Sequence, residues 1–170
     1  EDEPRLANIW GNYGFIYLKQ QKYTESLHYS RKALEVFEKN NNGYAIIIGL
    51  SNVGQALLGQ GKIKEGIGFC DKSLTMAIEF GATLEQIEAC NCVYTGYKSQ
   101  GNLAKALEYH ERLLIYTGEL ERDETTNKLQ KIEFEKQLLQ DSIQSAEHAR
   151  KVEEAHAAEM RQEARTRNIA

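Results

Sequence analysis

Apolar residues recur in steps of three and four along the first two thirds of the chain. Ile47, Leu50, Val53, Ala56 and Leu57 mark one face of a helix over about Tyr44 to Gln60. Gly61-Lys62 then supplies a glycine suited to closing a helix C-terminus. A second helix carries Ile63, Ile67, Cys70, Leu74 and Ala77 and stops at Gly81. The same order returns with Gly101-Asn102 as its turn. Two helices joined by a short turn pack as an antiparallel hairpin.

These hairpins recur every 40 residues, over 1–40, 41–80 and 81–120. Trp10 aligns with Leu50 and Cys90, Tyr13 with Val53 and Val93, and Tyr17 with Leu57 and Tyr97. Leu34 aligns with Leu74 and Leu114. Small residues also keep register: Gly14 with Gly54, and Ser26 with Gly66 and Ala106. The pattern predicts an all-α superhelix of three 40-residue hairpins, each burying its apolar face against its neighbours.

Beyond residue 120 the pattern changes. All 13 glycines lie at or before Gly118, and Phe134 is the one aromatic past residue 120. Residues 121–170 hold 9 basic and 11 acidic side chains, and 121–168 contain neither Gly nor Pro. This composition predicts one long polar C-terminal helix. Leu129, Ile132, Lys136, Leu139, Ile143 and Ala146 step 3-4-3-4-3, a heptad seam with one lysine in it. Two readings stand: a homodimer zipped along that seam, or a single solvated helix. In either, Leu120, Leu129 and Ile132 are expected to cap the apolar end of the third hairpin.

Charge and candidate chemistry narrow the function. The chain has 21 Lys and Arg against 25 Asp and Glu, a net charge of −4, so no basic excess points to nucleic acid. The longest uncharged apolar run, Tyr44 to Leu50, is far too short to span a membrane. The opening Glu-Asp-Glu-Pro lacks a Met and reads as part of something longer. Cys70, Cys90 and Cys92 cannot all pair and lack zinc-site spacing; they are expected as three buried free thiols, which suit a reducing compartment. His28, His110, His148 and His156 are scattered, with no HExxH, no glycine-rich phosphate loop and no catalytic constellation. No cofactor and no metal is expected.

The order Trp10, Tyr13-Gly14, Tyr17, Tyr23, Ser26, Ser30 and Ala33 resembles the tetratricopeptide repeat. The terminal proline of that pattern is absent, and the repeat is 40 residues long rather than 34. The resemblance implies a non-catalytic module that binds a protein or peptide on the concave face formed by the first helix of each repeat. Groove residues implied by it are Asn8, Asn12, Phe15 and Lys19, then Ile48, Asn52, Gln55 and Gly59, then Glu88, Asn91, Cys92, Thr95 and Lys98. Asparagine suits this work because one amide both donates and accepts toward an extended backbone. The alternative for Asn12 and Asn52 is a structural one, capping or bridging adjacent repeats. Two lysines opposed by Glu88 argue against a clamp for a C-terminal carboxylate. The tail, from Lys131-Ile132-Glu133-Phe134 onward, is similar to helical linkers of bacterial membrane signalling proteins. That likeness implies the regulatory part of a cyclase or histidine kinase next to a transmembrane segment, on the extracytoplasmic side. A free-standing adaptor that assembles a complex is the alternative.

Overall fold

The computed structural model describes residues 2–167, all of whose regular elements are helices. They are α1 (Glu3–Lys19), α2 (Tyr23–Lys39), α3 (Gly43–Gly59), α4 (Ile63–Glu79), α5 (Thr83–Ser99) and α6 (Leu103–Arg167). The first five have 17 residues each, and successive helices begin 20 residues apart. The 40-residue sequence period is therefore two equal helix-plus-turn units.

Each turn is closed by one geometry. After α1, the Lys22 amide donates to the Tyr17 carbonyl at 2.9 Å and the Gln21 amide to Leu18 at 3.0 Å. After α3 the same pair is Lys62 to Leu57 at 2.9 Å and Gly61 to Leu58 at 3.0 Å, and α2, α4 and α5 repeat it. These are Schellman motifs, which place the residue after the C-cap in the left-handed region. Gly61, Gly81 and Gly101 hold that position with φ of 78°, 64° and 78°, while Gln21 (59°) and Asn41 (52°) hold it without glycine's freedom. Asn42 and Asn102 then cap the next helices, each Oδ1 accepting the amide three residues on.

Within hairpins, small residues let helices approach. A Cβ on Gly14 would lie 2.3 Å from Ser30 Oγ, and one on Gly54 would lie 2.4 Å from Cys70 Sγ. At the same register in the third hairpin, Tyr94 and His110 meet as rings 5.3 Å apart. Between hairpins, Leu34 of α2 packs with Leu50, Val53 and Leu57 of α3, and Leu74 of α4 with Ala89 and Cys90 of α5. The third register-mate, Leu114, has no such cover and is 61% exposed. α3 lies in the middle of this order, and Ile47, Val53, Ala56 and Leu57 are completely buried.

Two expectations need correction. The cysteines are not three free thiols: Cys70 on α4 and Cys92 on α5 form a disulfide, with Cα atoms 5.8 Å apart, and Cys90 is a buried thiol. The partner of Cys92 lies on the facing helix, 22 residues away. The second helix of the third hairpin runs on as one 65-residue helix, α6. With no glycine or proline after Gly118, nothing in the sequence stops it. Leu129 and Ile132, expected to be buried as a cap, are 63% and 60% exposed.

The chain divides into compact units at Glu121/Arg122. In the second unit the described side chains are exposed, and i,i+3 and i,i+4 ion pairs such as Lys136 with Glu133 (3.3 Å) and Arg150 with Glu154 (3.4 Å) decorate the helix. Of the heptad seam, Leu129, Ile132 and Ala146 are exposed, while the side chains of Leu139 and Ile143 lie outside the described residues. Among the described residues no helix is long and apolar enough to cross a membrane.

Candidate functional site

The first helices of the three hairpins, α1, α3 and α5, line two adjoining hollows. One of about 480 Å³ is bounded by Asn8, Asn12 and Phe15 of α1 and Tyr44, Ile48 and Asn52 of α3. The other, of about 170 Å³, is bounded by Phe15, Ile48, Asn52, Gln55, Leu84, Glu85 and Glu88. Phe15, Ile48 and Asn52 line both, so the two form one depression running from α1 across α3 to α5.

Helical spacing explains the convergence. Asn8, Asn12 and Phe15 are four and three apart on α1, as are Ile48, Asn52 and Gln55 on α3. Residues at such spacings share a face. The opposite faces of these helices carry the core.

Most polar groups in the depression already have partners. Ser73 Oγ donates to the Ile47 carbonyl at 2.8 Å, and Gln55 Nε2 donates to Ser51 Oγ at 3.1 Å. The Tyr44 hydroxyl donates to Glu85, and that hydrogen bond raises the Tyr44 pKa above its ordinary value. Among those without one, Asn52 stands out: the residue is 5% exposed and lines both hollows, and its amide, which stays open to them, makes no hydrogen bond among the described residues. Asn12 on α1 is exposed and likewise unpaired among the described residues. Neither side chain makes a capping or bridging hydrogen bond among the described residues.

Seven residues expected in the groove therefore line the depression: Asn8, Asn12, Phe15, Ile48, Asn52, Gln55 and Glu88. Lys19 stands beside it, its ammonium 5.0 Å from the centre of the Phe15 ring. Asn91, Thr95 and Lys98 are exposed on α5 but line neither hollow, and Lys98 lies over Tyr94 at 5.6 Å. Gly59 is outside both hollows too, and Cys92 is consumed by the disulfide. Tyr44, Leu84 and Glu85 were missed. They sit one turn N-terminal to Ile48 and Glu88, so extending the face back by four residues finds them.

A larger hollow, about 700 Å³, lies between α2 and α4. Leu34, Leu50, Phe69 and Met76 form its apolar part. Arg31, Lys72, Glu35 and Asp71 at its edge carry both signs of charge, and all four are exposed. Among the described residues, no buried side-chain polar atom left without a partner lines it.

No group of three or more His, Cys, Asp or Glu able to hold a metal occurs among the described residues. The Cys90 thiol donates to the Tyr109 carbonyl at 3.2 Å, and burial pushes its pKa up to about 11, so it is no nucleophile near neutrality.

Residues 5–79 match the family model of the tetratricopeptide repeat. No curated protein matches the chain. The TPR domain of Arabidopsis FLU superposes with a TM-score of 0.62 at 20% identity, covering 70% of this chain and 98% of that one. Aspartyl phosphate phosphatase F from Bacillus subtilis superposes with a TM-score of 0.63 at 18% identity. That match covers 70% of this chain but only 31% of the phosphatase. At these identities the likeness is one of fold, a tetratricopeptide-repeat superhelix.

Proposed function

We propose that this is a non-catalytic interaction module whose concave face holds an extended segment of a partner protein. The observation that carries the reading is Asn52. Its amide, on a residue only 5% exposed, has no partner among the described residues and opens to both hollows, so it offers one donor and one acceptor to a peptide backbone lying across α3. Asn8 and Asn12 extend the same polar track onto α1, and Phe15 and Ile48 supply apolar walls. The test uses immobilised protein and a phage library of random dodecapeptides. The native chain should enrich a set of sequences, and the double variant Asn12→Ala/Asn52→Ala should enrich none while still melting cooperatively. Equal enrichment by the variant would refute the reading.

The tail supports a finer proposal, that the module is the regulatory part of a bacterial signalling protein of cyclase or histidine-kinase type. The support is the likeness of residues 131–169 to such linkers and the exposure of Leu129, Ile132 and Ala146 on the heptad seam. Light scattering on residues 1–170 and on a version ending at Arg122 tests it. A dimer that becomes a monomer on truncation supports a dimerising signal helix. Monomers in both cases favour the free-standing adaptor.

A further inference from the structure

We propose that the hollow between α3 and α5 is a subsite for one lysine or arginine side chain of the bound segment. The inference rests on the groove reading and adds the chemistry of the ligand. At about 170 Å³, roughly six waters by liquid volume, the hollow accommodates one long side chain. Its walls are of two kinds. Phe15, Ile48 and Leu84 are apolar, whereas Glu85 and Glu88 bring two carboxylates. Glu88 is exposed and has neither hydrogen bond nor ion pair among the described residues. Glu85 has only the Tyr44 hydroxyl, a neutral partner. Lys19 and Lys98, the lysines of this face, lie over Phe15 and Tyr94 and pair with neither acid. The negative charge is thus uncompensated within the described chain.

A purely apolar anchor would strip water from these carboxylates and return nothing. An acidic one would meet like charge. A side chain with a methylene stem and a cationic head matches both walls, the stem along Phe15, Ile48 and Leu84 and the head at Glu88. The unpaired Asn52 amide beside the hollow fixes the adjacent backbone, so the anchor and the main chain are read together.

The experiment continues from the dodecapeptide selection, with enriched sequences synthesised carrying a fluorescein label and measured by anisotropy. The enriched peptides should share a Lys or Arg. Replacing that residue by Met, similar in length but uncharged, should weaken binding about tenfold, the scale of one well-placed charge pair. Glu88→Lys should weaken the same peptides by a similar factor, and a peptide with Glu in place of its cation should regain affinity for that variant. Glu88 is exposed, so its replacement leaves the core intact. If the enriched peptides share no cation and Glu88→Lys changes nothing while Asn52→Ala abolishes binding, the subsite is refuted and the groove stands. If Asn52→Ala also changes nothing, or no peptide is enriched, both fall.

Discussion

Replacing Gln21 by glycine should stabilise this protein, and replacing Gly61 by glutamine should destabilise it. Residues 21, 61 and 101 occupy one structural position, the left-handed residue that closes each hairpin turn. A Cβ at Gly61 or Gly101 would meet nothing within 4 Å, so sterics with the rest of the fold are absent and only backbone conformation counts. A side-chain-bearing residue in this region costs about 1–2 kcal/mol. Glycine avoids that cost but loses about 0.5–1 kcal/mol more conformational entropy on folding. The difference leaves about 0.5–1 kcal/mol in favour of glycine. Gln21→Gly should therefore raise the melting temperature by about 1–4 °C, and Gly61→Gln should lower it by a similar amount. The two changes are far apart in the chain and should add, so the double variant should melt near the native temperature. Thermal melts followed by circular dichroism measure both shifts. A destabilised Gln21→Gly, or an unchanged Gly61→Gln, would refute the assignment of strain to this position.

Three further outcomes follow from the packing and the cysteines. Gly54→Ala should destabilise by about 1–3 kcal/mol, because its Cβ would lie 3.0 Å from backbone atoms of both α4 residues Gly66 and Cys70, which cannot turn aside; urea melts read the loss. Unfolded, oxidised protein should titrate one thiol and reduced protein three, and Cys70→Ala/Cys92→Ala should cost about 3 kcal/mol from the opened loop. Stability should be retained below about pH 9 and fall as pH rises through 11. The folded state keeps the proton on Cys90 up to about 11, and that on Tyr109 to about 12, after the unfolded chain has released them. Melting temperatures across that range should flatten at the lower end in Cys90→Ala.

The period of the fold was legible because it is written twice, in the recurrence of large residues and in that of small ones. Gly61, Gly81 and Gly101 announced their turns, whereas Gln21 hides the same conformation under a residue that rarely adopts it and Asn41 under one that adopts it more readily. The lining of the depression was legible on α1 and α3, where Asn8, Asn12, Ile48 and Asn52 follow helical spacing, but less so on α5. There the depression turns toward Leu84 and Glu85, and the C-terminal half of the helix, with Thr95 and Lys98, lies outside it. Which residues keep their polar groups unpaired cannot be read from spacing: Ser73 and Asn52 are both buried and polar, yet only Ser73 finds a carbonyl. The disulfide was hidden for a related reason. It joins neighbouring hairpins, and no pattern on a single helix reports a partner on the next.

The most direct test of the central claim is to map where a selected peptide binds, by amide and side-chain chemical shifts of the isotopically labelled protein. Saturating peptide should perturb the Asn12 and Asn52 side-chain amides, the Phe15 ring and the backbone around Glu88. Changes confined to Arg31, Phe69, Lys72 and Met76, around the larger hollow between α2 and α4, would place binding on the other face and contradict the account.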